Sequence, residues 1–284
     1  MLKTNKDRLP IISVQGQVQH PVARSAARIT TDGQPFWLTG IGGITYNAKI
    51  GDCCIGWVAD HLEPGVSTRN PDDSKNEAYA TLSCIGNTAT VLSGEARGAK
   101  GIITGKHGGC EHVMVYFDED TLDKLAIDDK IAVRACGQGM KLLDYPDVFL
   151  YSMSPELLDK MNIEQNGDKL KVGVAKIFSA KIMGAGLGSG NSASGDYDIT
   201  LNDPAMVEEY GMSDLRFGDI VAIMDADCRY GRTFRSGAVT IGVVVHADCL
   251  VSGHGPGVTT LMTCKTDIIE PVVDKKANLA DMFL

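Results

Sequence analysis

Apolar residues along the chain fall into short runs that end at Gly, Asp or Asn. Runs of strand length that are rich in β-branched residues and bounded by turn residues predict β-strands. The predicted strands cover residues 11–14, 102–104, 113–117, 130–135, 169–177, 220–224 and 238–246. The pattern therefore indicates a β-rich protein whose chain turns often.

Capping residues predict only a few short helices. A Ser or Asp followed by Pro favours a helix start, because the side chain caps the first turn and Pro fits its first position. This pattern occurs at Ser154-Pro155 and at Asp203-Pro204, and Gly211 is expected to end the second helix. A third capped helix is predicted at 122–127, after Asp120-Thr121. Weaker candidates are 213–215 and the tail at 277–283, whereas the Asp-rich segment 71–79 is expected to be solvated surface.

The fold class expected from these elements is α+β and β-rich, with many short strands in barrel-like or sandwich sheets and a few short helices. Two subdomains are expected, covering 1–165 and 166–284 of the 284 residues. A motif with the same spacing, GD-x7-D, starts at Gly51 in the first and at Gly218 in the second. Each copy is interpreted as a turn, a strand and an acidic residue, which suggests two related halves.

Composition narrows the function classes. The chain has 27 Lys and Arg against 36 Asp and Glu, giving a net charge of −9, so nucleic acid and anionic membranes are not expected as partners. Its start lacks an apolar leader and its apolar runs are too short to span a bilayer, so we expect a cytoplasmic protein. The eight cysteines contain no C-x-x-C spacing and are expected to be thiols rather than disulfides or zinc ligands.

Histidines next to Gly and acidic residues are the main candidates for chemistry. Imidazole and carboxylate groups on short loops at strand ends suit a divalent metal such as Zn, Mn or Ni. Such pairs occur at Asp60-His61, around His107 and Glu111, and at His246 with Asp248. The predicted metal ligands are Asp60, His61, Asp227 and His254, and the predicted general base is His107.

Two further segments could contact a substrate. Arg229 and Arg232 follow Asp227 at three-residue spacing, and their guanidinium groups are predicted to hold a carboxylate or phosphate of a small anion. The Gly-rich segment 184–195 could form a lid over the site or a mobile surface loop. It matches neither common nucleotide-binding fingerprint, so no nucleotide cofactor is expected.

Several segments resemble an uncharacterised family known as domain of unknown function 4438. The resemblance runs from about Gln15 to Met262 and lies in GDCCIGWVADHLEPGVS, SGEARGAKGIITGKHGG, GQGMKLLDYPDV, LRFGDIVAIMDADCRYGR and SGHGPGVTTLMT. It implies a bacterial or archaeal cytosolic protein that is β-rich and has two subdomains, and it implies no reaction. The GD motif also faintly resembles acetamidase and formamidase enzymes, which are metal-containing β-rich amidases, although the signature of their active loop is absent.

The leading functional hypothesis is a metal-assisted hydrolase that cleaves a C–N bond of a small anionic metabolite. A metal-independent alternative is an isomerase or lyase that uses Cys228 as nucleophile with His107 or Glu111. A third possibility is a non-catalytic protein that binds a metal or metabolite. In each case a homo-oligomer is expected.

Overall fold

The computed structural model describes residues 2–22, 27–37 and 40–284. Within them the strands are β1 (Ile12–Val18), β2 (Arg28–Ile29), β3 (Pro35–Phe36), β4 (Ile44–Thr45), β5 (Gly65–Arg69), β6 (Thr88–Val91), β7 (Lys100–His107), β8 (His112–Tyr116), β9 (Lys130–Ala135), β10 (Phe149–Leu150), β11 (Ile163–Asn166), β12 (Lys169–Val174), β13 (Lys176–Ser179), β14 (Tyr197–Asp198), β15 (Ile220–Asp227), β16 (Thr233–His246), β17 (Gly257–Cys264) and β18 (Ile269–Val273). The α-helices are α1 (Asp73–Leu82), α2 (Glu119–Leu122), α3 (Pro155–Lys160), α4 (Pro204–Glu209) and α5 (Leu279–Phe283).

The N-terminal half forms a closed antiparallel barrel. Its strands follow the order β1-β9-β6-β7-β8-β5, and pairing of β5 with β1 closes the ring, while β4 extends from β5. Alternate residues of these strands fill the interior, as expected for a barrel of this size. Its buried side chains include Val18, Val66, Ile103, Val115 and Ile131.

The C-terminal half is built on a second sheet of order β10-β17-β16-β15-β13, with β14 also paired to β17. Its central strands are covered on both faces. Ile220 and Ala222 of β15 belong to the core that the sheet shares with the barrel, whereas Val221 and Ile223 face a separate core with Phe217. This alternation explains the continuous apolar run at 220–224, because a strand buried on both faces has no solvent-facing positions.

Smaller elements complete the fold. Strands β11, β12 and β18 form a three-stranded sheet, and β2 pairs with β3. The Ser154 side chain accepts a hydrogen bond from Leu157 N at the start of α3, and Asp203 caps α4 in the same way. No helix in the described part of the chain is long and apolar enough to cross a membrane.

The β-rich class, the other predicted strands and the helix starts at Ser154-Pro155 and Asp203-Pro204 are confirmed. The strand predicted at 169–177 is divided into β12 and β13, which belong to different sheets. The helix predicted at 122–127 is wrong, because Asp118 caps α2 and the helix ends at Leu122. The segment 71–79 differs, because most of it forms α1, in which Tyr79 is buried and its hydroxyl lies 2.7 Å from Thr68 Oγ1. The two GD-x7-D motifs also differ in conformation. The copy at Gly218 leads into β15, whereas most of the residues after Gly51 form a loop without a regular strand.

Candidate metal centre

The candidate site lies where the barrel meets the second sheet. Strand β7 approaches β16 closely because Gly105 leaves room for Val245, and a Cβ at this glycine would overlap the valine side chain. His107 ends β7 and His246 ends β16, and their rings stack with centroids 4.2 Å apart. Close strand packing therefore brings together two histidines that are far apart in the sequence.

A first donor set beside this pair consists of His61, Asp198 and His254. The Nδ1 atom of His254 lies 2.9 Å from Asp198 Oδ2. The Nε2 atom of His61 lies 3.1 Å from His254 Nδ1 and 3.6 Å from the same Asp198 oxygen. The three groups offer ligand atoms that all lie within 4.8 Å of one another. Two imidazoles and a carboxylate suit Zn²⁺, Mn²⁺ or Ni²⁺.

The ring of His61 is held in place by groups behind it. Its Nδ1 donates to Asp60 Oδ1 at 2.7 Å, and Asp60 also accepts from Arg28 at 2.8 Å and from the Cys249 thiol at 3.1 Å. The backbone φ of His61 is +55°, a strained value for a residue with a side chain. Burial lowers the pKa of His61, but Asp198 and Asp60 raise it to about 11 overall. A carboxylate behind a histidine in this way orients many metal-binding imidazoles.

Glu63 orients two further histidines from inside the protein. Its Oε1 accepts from His107 Nδ1 at 2.5 Å, its Oε2 lies 2.9 Å from His112 Nδ1, and the Ser67 hydroxyl donates to it. Although burial opposes ionisation, His112 and His107 hold the pKa of Glu63 well below its ordinary value. Glu63 is therefore a buried carboxylate that fixes the His107 ring.

A second donor set consists of His107, Asp196 and His246. The Nε2 atom of His246 lies 2.8 Å from Asp196 Oδ2, and the other Asp196 oxygen accepts from Gly108 N at 2.8 Å. The His246 Nδ1 lies 2.8 Å from the carbonyl oxygen of Ala247 and donates to it. Burial lowers the pKa of His246, but the adjoining aspartates raise it to about 10 overall.

A cavity of about 310 Å³ is lined by the whole first donor set and by His107 and Asp196 of the second. The Gly-rich segment forms one wall of it through Gly186, Ser189, Asn191 and neighbouring residues. Buried Lys106 fixes this wall, because its ammonium donates to the carbonyl oxygen of Ala193 at 2.5 Å. The Gly-rich segment, for which the sequence suggested either a lid or a mobile loop, therefore lines the cavity.

Arg232 and Glu111 are the charged residues of this cavity that belong to neither donor set. The Arg232 side chain is buried, and its Nε and Nη2 atoms have no hydrogen-bond partner among the described residues. Glu111 is exposed and accepts a hydrogen bond from Gly109 N at 3.1 Å. The cavity therefore combines a buried guanidinium with free donors and a carboxylate open to solvent.

The structure brings some predicted residues together and separates others. His61 and His254 share the first donor set, and Asp60 lies behind His61. Asp227 lies outside both sets, where its carboxylate receives Arg229 Nε at 3.0 Å and Nη2 at 2.9 Å, with Arg235 at 3.2 Å. The guanidinium of Arg229 is therefore paired with Asp227, and both residues line a second cavity.

The predicted nucleophile Cys228 is fully buried. Burial is the main cause that raises the pKa of its thiol, which therefore stays protonated and less reactive. All eight cysteines are free thiols, as the sequence predicted, and Cys53 is the exposed one. These surroundings do not favour thiol chemistry at Cys228.

We expect iodoacetamide to alkylate Cys53 in the folded protein long before Cys228. The Cys228 thiol can react only when the surrounding structure opens, whereas Cys53 is accessible throughout. Mass spectrometry of proteolytic peptides over time measures the two rates, and urea-unfolded protein provides the control in which both react. Rapid modification of Cys228 in the folded protein would revive the thiol mechanism.

Sequence reasoning missed Asp196 and Asp198 and assigned no role to Glu63. The two aspartates are at positions i and i+2 of the segment that forms β14, so an extended backbone turns both side chains to one face. The sequence GDYD contains this pair of aspartates two residues apart, but the glycines before it made the segment resemble the end of a loop. His246 was noted beside Asp248, yet its partners in the structure are Asp196 and Asp198.

No curated protein matches the chain. The solved structure named "Crystal structure of TM1086" is 46% identical and superposes with a TM-score of 0.95, covering 100% of this chain and 99% of that one. Family models described as domain of unknown function (DUF4438), N-terminal and C-terminal, match residues 27–159 and 160–283. The sequence analysis placed its subdomain boundary after residue 165. The chain therefore belongs to the DUF4438 family.

Proposed function

We propose that the protein is a metal-dependent hydrolase that cleaves a C–N bond of a small anionic compound. The observation that supports this most is the first donor set at the base of a cavity that also contains Arg232. A cation at His61, Asp198 and His254 would line the same cavity as the Arg232 guanidinium, whose Nε and Nη2 have no hydrogen-bond partner among the described residues. A metal next to a buried cation suits a substrate that carries its own negative charge.

The proposed reaction follows from these positions. A metal held by His61, Asp198 and His254 would supply the positive charge that activates a water and polarises an amide carbonyl. Glu111 would act as general base towards the attacking water and as general acid towards the leaving nitrogen, so that its carboxylate takes up one proton and returns it as the C–N bond breaks. We assign the proton transfer to Glu111 because His107, the residue predicted from the sequence, is held by Glu63 inside the second donor set. Arg232 holds the carboxylate of the substrate.

The test begins with protein purified without a tag or chelator. Plasma mass spectrometry measures bound Zn, Mn, Ni and Fe, and the protein is then assayed on N-acyl and N-carbamoyl amino acids before and after removal of metal. We expect turnover that disappears with the metal and returns with it. Failure to bind any of these ions, or turnover that is unchanged in metal-free protein, would contradict the proposal.

Replacing Arg232 with Ala should raise KM about 10–100-fold with little change in metal content. A hydrogen bond to a charged group contributes about 1.5–3 kcal/mol, and the loss of the guanidinium removes that interaction from the bound substrate. Steady-state kinetics on an anionic amide and on its neutral ester or amide analogue measure the effect, which should be confined to the anionic substrate. The exposed Arg134→Ala variant is the matched control. An unchanged KM would exclude Arg232 from substrate binding.

A further inference from the structure

The second donor set carries an inference of its own. His107, Asp196 and His246 are 5%, 7% and 0% exposed, and their ligand atoms lie within 4.8 Å of one another. They come from the end of β7, the residue directly before β14 and the end of β16. Three polar groups from separate elements thus meet in the interior beside the first donor set.

The remaining ligand atoms of this set face one another. The Nδ1 atoms of both histidines are engaged, His107 with Glu63 and His246 with the Ala247 carbonyl, which leaves Nε2 of each ring as a ligand atom. His246 Nε2 and Asp196 Oδ2 are both fully buried and lie 2.8 Å apart, at ion-pair distance. Neither atom has another hydrogen-bond partner among the described residues. A cation bound by both atoms would take the place of the proton between them.

Asp198 connects the two donor sets. Its Oδ2 lies 2.9 Å from His254 Nδ1, whereas its Oδ1 lies 3.5 Å from His246 Nε2. The His61 ring centroid is 5.1 Å from that of His246 and 5.7 Å from that of His107. Paired metal ions in hydrolytic enzymes are about 3.5–4 Å apart, and one carboxylate can bind each ion through a different oxygen.

We propose that the protein binds two divalent cations, the second one at His107, Asp196 and His246, with Asp198 bridging it to the first. This inference rests on the proposed function only for its first cation, which the first donor set holds. Together the two ions would supply more positive charge for activating a water than the first ion alone.

The test loads chelator-treated, full-length protein with Mn²⁺ alone, removes unbound metal and counts Mn per chain by plasma mass spectrometry. We expect two ions per chain and an electron paramagnetic resonance spectrum of coupled Mn²⁺ pairs. In Asp196→Asn and in His254→Ala the count should fall to one and the spectrum should become that of isolated Mn²⁺. The exposed Asp168→Asn variant is the matched control and should keep two.

The possible results distinguish this inference from the proposed function. One ion per wild-type chain at saturation, or an uncoupled spectrum, would overturn the two-ion site even if the protein hydrolyses amides. Two coupled ions without any hydrolysis would contradict the proposed reaction and support the two-ion site. Circular dichroism identifies variants that do not fold, and in that case the wild-type count and spectrum decide.

Discussion

Replacing Asp198 with Asn is expected to lower the affinity for divalent cations by more than about 100-fold and to abolish hydrolysis. Mutation of residues that merely orient metal ligands costs about 10–100-fold in affinity, and Asp198 contacts both donor sets directly. The amide oxygen of Asn can still bind one ion, but the variant loses the negative charge and one of the two bridging oxygens. Equilibrium titration with Zn²⁺ or Mn²⁺ against a competing chelator measures the loss.

Asp168→Asn provides the control for charge, since this aspartate is exposed and outside the cavity. Wild-type protein should also melt at a higher temperature with metal than without it. Binding at a concentration 100 times the Kd stabilises the folded state by about 2.7 kcal/mol. At the same metal concentration this stabilisation should fall to about 0.4 kcal/mol or less in Asp198→Asn. A variant that binds metal as tightly as the wild type would remove Asp198 from the centre.

Replacing Glu63 with Ala is expected to destabilise the fold by about 3–5 kcal/mol, because it leaves the imidazoles of His107 and His112 without their buried partner. For a chain of this size the melting temperature should fall by roughly 10 °C. The same change releases the His107 ring, so metal affinity should also fall about 10–100-fold. Differential scanning calorimetry and metal titration measure the two effects.

Glu63→Gln separates the two effects. Gln keeps the side-chain volume and accepts a hydrogen bond from one histidine, so we expect a smaller loss of stability than in Glu63→Ala but a similar loss of metal affinity. The exposed Glu95→Ala variant should match the wild type in both measurements. Equal stability of Glu63→Ala and the wild type would show that the Glu63 ion pairs do not support the fold.

The fold was largely predictable because its strands are short, β-branched and separated by turn residues. The capped helices were predictable because a single residue, such as Ser154, determines where each begins. Helix α1 was not, since its sequence lacks a clear apolar face and its position depends on contacts from other elements. Its Tyr79 ring, for example, packs where Gly16 leaves space in β1. Such a contact has no signal in the local sequence.

Residues of the candidate site were predictable only where a histidine lies in a loop next to an acidic residue or to glycines. His61 and His254 were found in this way, next to an acidic residue and between glycines. Asp227 has the same local appearance, but its partners are arginines that follow it in the chain. Asp196, Asp198 and Glu63 acquire their roles through contacts across the barrel and the second sheet. The topology decides which carboxylates approach which histidines, and spacing along the sequence does not.

Both donor sets draw residues from each half of the protein, since His61 and His107 belong to the barrel half and Asp198 and His246 to the other. Neither half alone can therefore reproduce the centre. A cation bound there would hold the two halves together. A molecule that retains the cation must therefore have both halves folded and in contact. Metal content per molecule would then serve as a measure of correct folding, independent of any knowledge of the substrate.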